Sequence, residues 1–143
     1  MNADPQTLAA VSALLDRYAA ALCARDADAL VALHSEDADM SAIGPEAREV
    51  YRGIDALGAA LRGDLPRRDR IGARFSAITV SIPSSPKGAP PPVAWVEATL
   101  SGDMTVNRKV HTFSGRFTAV IERQGSDWLI AQSHFSFAAP PMG

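Results

Sequence analysis

Leu8, Val11, Leu15, Tyr18 and Leu22 recur at spacings of 3, 4, 3 and 4, the period of a helix with one buried stripe. Asp4-Pro5 stands before them, a capping carboxylate followed by proline at a first helical position. A long helix is therefore predicted, ending near Arg25-Asp26, where Asp26 or Asp28 can cap a short second helix holding Leu30, Val31 and Leu33. After His34-Ser35-Glu36-Asp37 the pattern over Ala38 to Ile43 becomes short and partly alternating, which predicts a strand closed by Gly44-Pro45. Val50-Tyr51-Arg52 predicts another brief strand. Ile54, Leu57, Leu61 and Leu65, spaced 3, 4 and 4, predict a third helix stopped at Pro66.

The second half of the chain reads as strands: Phe75 to Ile82, Val93 to Leu100, Val110 to Arg123 and Trp128 to Phe137, the last two joined by the turn Gln124-Gly125-Ser126-Asp127. Four strands in succession predict a meander. Residues 83–92 separate the first two and include five prolines in ten positions; without N–H groups these cannot join a ladder, so a surface loop is expected. Residues 138–143 form an apparent loose tail. The whole, residues 1–143, is predicted to be one α+β domain, three N-terminal helices packed on the concave face of a curved antiparallel sheet that closes a cone around an internal pocket.

Alternation separates the faces of the last hairpin. His111, Phe113, Gly115, Phe117, Ala119 and Ile121, with Leu129, Ala131, Ser133, Phe135 and Phe137, form a nearly apolar set expected to face the helices. Thr112, Ser114, Arg116, Thr118 and Val120, opposite Trp128, Ile130, Gln132, His134 and Ser136, mix large, apolar and hydrogen-bonding groups. Such a face suits contact with another surface. A homodimer packed sheet against sheet is predicted, with Arg116, Thr118, Gln132 and His134 at the interface.

Composition narrows the function classes. With 143 residues, 47% hydrophobic and 21% charged, the chain can bury a core without a disulfide or metal staple. Its formal charge of −2 argues against nucleic acid as a partner. The exception is a run of five arginines, Arg62, Arg67, Arg68, Arg70 and Arg74, which could grip an anion or stand as a solvated helix end partly neutralised by Asp64 and Asp69. A lone Cys23 points to a reducing, cytoplasmic compartment. No basic leader and no window of 18 apolar residues is seen, so neither export nor a membrane is expected. His34, His111 and His134 show no metal-binding spacing, so no metal or other cofactor is expected.

The order of elements resembles the nuclear transport factor 2-like superfamily, and three stretches resemble its SnoaL-like members. Arg17-Tyr18 through Asp26, Asp28 and Val31-Ala32-Leu33 to Asp37-Ala38 is similar to the opening helices of ketosteroid isomerases. Gly44-Pro45-Glu46-Ala47 with Tyr51-Arg52-Gly53-Ile54-Asp55 is similar to the association domain of calcium/calmodulin-dependent protein kinase II. Ala94-Trp95-Val96, Arg116-Phe117-Thr118, Trp128 and His134-Phe135-Ser136 resemble the end of that domain.

The resemblance implies an internal pocket and two competing roles. One is binding of a small hydrophobic molecule with acid–base isomerase, cyclase or dehydratase chemistry; the other is a non-catalytic association module. Ketosteroid isomerases use a tyrosine donor, a carboxylate base and a protonated aspartic acid. Tyr18 matches the first, Ala42 falls at the second, and apolar residues such as Phe113 and Phe117 occupy the third. Glu97, aligned with a pocket arginine of the kinase domain, is then the candidate base, Tyr18 the donor and His111 a proton shuttle. Trp95, Tyr51, Asp39, Phe113, Phe117, Ser133 and Phe135 are the expected pocket residues.

Overall fold

The computed structural model describes residues 1–84 and 89–142; residues 85–88 of the proline-rich loop and residue 143 of the tail lie outside the described part. Helices α1 (Pro5–Ala24) and α2 (Ala27–Val31) are followed by strands β1 (Ser41–Ile43) and β2 (Val50–Arg52), then helix α3 (Gly53–Asp64) and the meander β3 (Arg70–Ser81), β4 (Val93–Val106), β5 (Lys109–Gln124) and β6 (Asp127–Ser136). A single sheet runs in the order β2-β1-β6-β5-β4-β3. Its β1–β6 pair is parallel, so the sheet is mixed rather than wholly antiparallel. The chain must cross over through α3 and the meander to bring β6 beside β1.

Local chemistry sets the helix ends. Asp4 caps α1 by accepting from the Thr7 amide at 2.8 Å, and Asp26 caps α2 by accepting from the Ala29 amide at 3.0 Å. By length and composition alone α1 is apolar enough to cross a membrane. Its apolar stripe has another use, because Val11, Leu14 and Leu15 are fully buried and the helix packs on β3 and β6. Leu8, predicted on that stripe, is exposed, and Leu14 takes the buried position instead.

Two irregularities shape the sheet. In β3 the register shifts between Ser76 and Thr79, where Ala77 adopts a left-handed φ of 51°; inward parity passes from Ile71, Ala73 and Phe75 to Ile78 and Val80. In β6 the shift against Val120 and Ile121 leaves Ala131 unpaired. One extra residue reverses every side chain before it. Trp128 and Ile130 are thus buried with the core, not on the mixed outer face, and Leu129 is turned the other way.

β4 and β5 run further than their hydrophobic segments, pairing from Val93↔Glu122 to Val106↔Lys109. Asn107 and Arg108 make the turn with φ of 51° and 67°, the paired left-handed conformation that matches strand twist. The core gathers α1, α2 and the inner faces of β3 to β6 around Phe117, Ile121 and Ile130; a second, smaller cluster joins Met40, Ala42 and Leu57 beneath α3.

Candidate functional site

Tyr18 and His34 are the polar rings that the fold brings into its aromatic interior. Tyr18 projects from α1 onto the sheet, where its ring meets Phe75 and Phe117, each 5.5 Å away and edge-on. Phe75 and Phe117 are themselves 5.0 Å apart. His34 follows α2 and lies 6.3 Å from the Tyr18 ring. It is only 3% exposed, held by an isolated parallel bridge to Ile130.

Hydrogen bonding fixes the chemistry of the imidazole. His34 Nδ1 lies 2.8 Å from the Leu30 carbonyl oxygen; a carbonyl can only accept, so Nδ1 carries the proton and Nε2 keeps its lone pair. Desolvation holds the imidazole pKa below its ordinary value, outweighing the opposing backbone contacts of Leu30 and Val31. The ring is a neutral base.

The Tyr18 hydroxyl has no hydrogen-bond partner among the described residues, although the side chain is half-buried. Burial pushes its phenol up to about 12, so it stays protonated and can donate. Beside His34, Ser35 is buried; its hydroxyl oxygen accepts from the Asp37 amide at 3.2 Å and from Gln124 Nε2 at 3.4 Å. The arrangement offers a neutral donor, a neutral acceptor and an apolar surround.

Several expected participants stand elsewhere. Glu97 is exposed between buried Val96 and Ala98, placing it on the outer face with Trp95, which is 39% exposed. Strand alternation is the reason: Ala94, Val96, Ala98 and Leu100 claim the interior. His111 is exposed near the β4–β5 turn, paired with Met104. Glu97, Tyr18 and His111 therefore do not form one constellation. Asp39 is exposed before β1, its amide donating to Asp37.

Phe113 and Phe135 lie on the inner face with ring centroids 6.3 Å apart, and Ser133 and Phe117 are buried there. Tyr51 packs against the Met40 cluster. Arg116, Thr118, Gln132 and His134 occupy the outer face, with Arg116 Nη2 donating to the Phe137 carbonyl at 3.2 Å. His34 and Phe75 were not among the predicted participants. Among the described residues, no three His, Cys, Asp or Glu side chains gather to hold a metal ion.

An open cavity of about 860 Å³ lies outside this aromatic cluster. It is a cleft between α3, the β1–β2 connection and the β4–β5 turn, lined by charged groups and by Tyr51.

Three structural comparisons fit this architecture. A proposed scytalone dehydratase from Novosphingobium aromaticivorans superposes with a TM-score of 0.81 at 15% identity, over 94% of this chain and 85% of that one. A proposed calcium/calmodulin-dependent protein kinase II association domain from Xanthomonas campestris gives 0.75 at 19%, over 96% and 89%. A ketosteroid isomerase-like protein from Erwinia carotovora atroseptica gives 0.74 at 18%, over 96% and 100%. At these identities the likeness establishes the nuclear transport factor 2-like fold. No curated protein matches the sequence significantly. The SnoaL-like domain model matches residues 11–140, and the chain belongs to that family.

Proposed function

We propose that this protein binds a small, largely apolar molecule bearing a carbonyl-type oxygen beside Tyr18 and His34, and acts on it by acid–base chemistry. The observation that carries this reading is the unpartnered Tyr18 hydroxyl next to an imidazole whose Nδ1 proton is committed to Leu30. The half-buried side chain leaves that hydroxyl open to solvent and free to donate, and a ligand oxygen would take the bond. Phe75, Phe117, Phe113 and Phe135 supply the apolar and aromatic surface such a ligand needs.

The reaction most compatible with these groups is proton abstraction next to the carbonyl. His34 Nε2 would take the proton; the C–H electron pair would shift to the oxygen, where the Tyr18 phenol would donate a hydrogen bond to the developing charge. Return of the proton to another carbon gives isomerisation, and loss of a β-hydroxyl as water gives dehydration.

A panel of cyclic ketones and phenolic ketones in D2O tests both parts. Saturable chemical-shift changes around Tyr18, with enzyme-dependent deuterium incorporation beside the carbonyl, are expected. Tyr18→Phe is expected to weaken binding by about tenfold, the worth of one hydrogen bond to a polarised oxygen. His34→Asn should abolish exchange while sparing binding. Equal exchange rates in wild type and both variants would remove the assignment.

The outer face supports a homodimer as a second element of the reading. Trp95 and Val120 are register partners, 39% and 37% exposed, surrounded by the hydrogen-bonding groups Thr118, Gln132 and His134. That combination fits a buried protein contact.

A further inference from the structure

The arginine run identified in the sequence converges with the β4–β5 turn at one edge of the charged cleft. Asp69 makes the junction: its amide donates to the Thr105 carbonyl at 2.8 Å, and its Oδ2 accepts from the Arg108 amide at 3.2 Å. Arg67 and Arg68 are thereby brought beside Asn107, and all three line the cleft. Arg25 joins from the end of α1, donating through Nη1 to the Arg68 carbonyl at 2.6 Å.

The acids of the cleft are already engaged. Glu46 pairs with Arg48 at 3.3 Å, and Asp64 pairs with Arg67 at 3.5 Å. Glu49 is folded back on its own loop, Oε1 accepting from the Glu46 amide at 3.1 Å. The Arg68 guanidinium has neither an ion pair nor a hydrogen bond among the described residues. Arg108 and Lys109 add side-chain charge close by, also without an acidic partner among those residues. The cleft lining itself balances Arg48, Arg67 and Arg68 against Glu46, Glu49 and Asp64, so the cationic excess is confined to the edge where Arg68, Arg108 and Lys109 stand, which anions would meet first.

We infer that the cleft between α3 and the β4–β5 turn is a binding site for the oxyanion of a small molecule, a phosphate ester or polycarboxylate held chiefly by Arg68, with Arg67 and Asn107 beside it. Guanidinium groups present paired donors that match carboxylate and phosphate oxygens. Tyr51 adds a protonated hydroxyl on the cleft wall, its pKa raised by desolvation and by Glu49 and Asp64. The site stands independently of the Tyr18–His34 reading, which requires no anion.

Titration of the full chain with inorganic phosphate and with citrate at low ionic strength, followed by amide and arginine Nε–H resonances, tests the inference. Saturable shifts confined to Arg67, Arg68, Asn107 and Tyr51 are expected. A response to phosphate alone assigns the site to phosphate oxygens, and a response to citrate alone assigns it to carboxylates. Arg68→Gln should weaken binding by about tenfold, as expected for loss of a charge-assisted hydrogen bond, while Arg116→Gln on the outer sheet face leaves it unchanged. Arg67→Gln, which keeps Arg68, should give a smaller loss. Silence toward both anions, or shifts spread over all arginines and equally reduced by Arg116→Gln, would overturn the site. Thermal melts of each variant separate loss of binding from loss of fold.

Discussion

Tyr18 carries opposing demands of stability and chemistry. Its hydroxyl has no protein partner among the described residues and sits on a half-buried side chain, so removing the oxygen breaks no protein hydrogen bond. Tyr18→Phe is expected to leave stability within about 0.5 kcal/mol of wild type, measured by urea unfolding, even as it weakens ligand binding. A substantial loss of stability would mean that the hydroxyl has a structural partner. His34 makes a pH-dependent contribution of fixed sign. Because desolvation lowers its folded pKa, the unfolded chain takes up a proton first as pH falls below about 6.5. Proton uptake by the unfolded state means stability is full above that value and declines below it. His34→Asn, which preserves a donor for the Leu30 carbonyl, should flatten that decline. An unchanged slope would place its origin elsewhere.

At the scale of elements, the strand irregularities explain both rigidity and the limits of reading by alternation. Gly115 is buried on β5, and a Cβ there would overlap both the Phe135 ring and the Ser136 carbonyl oxygen of β6. Gly115→Ala must displace the ring and shift the β6 backbone, at a cost of about 1–3 kcal/mol by overpacking; a melting temperature equal to wild type would show that β6 yields freely there. The helices were legible because caps marked the first two at Asp4 and Asp26 and the period alone marked the third from Ile54 to Leu65. The strand faces were legible only between bulges. Nothing at Ala131 announces an unpaired residue, so Trp128 and Ile130 seemed to share the face of Gln132. Nor could period reveal that β1 and β6 would lie parallel, since that pairing is decided by the crossover between distant segments. Glu97 is different. Its own strand alternates cleanly, with Ala94, Val96, Ala98 and Leu100 inward, so local pattern places it outside whatever its counterpart does in another family member. His34 left no such sign, because a histidine after a short helix gains its role only when Leu30 takes its proton and Tyr18 arrives from α1.

The whole molecule presents two sides to which the proposed function assigns different roles. Its helical side encloses the Tyr18–His34 cluster, while its outer sheet face exposes Trp95 beside Val120. An isologous dimer would bring this patch against its own copy around a two-fold axis, burying the tryptophan without touching the aromatic interior. Light scattering coupled to size exclusion should therefore give about twice the 15.1 kDa chain mass at micromolar concentration. Trp95→Asp introduces two like charges near that axis and removes an aromatic anchor, the type of residue that dominates interface energetics. It should yield a folded monomer, because a side chain 39% exposed contributes little to the core. Deuterium exchange on ketones then distinguishes the two sides: retained by the Trp95→Asp monomer, it places the chemistry within one chain. A wild-type monomer, or a variant that still dimerises, would exclude this face as the interface.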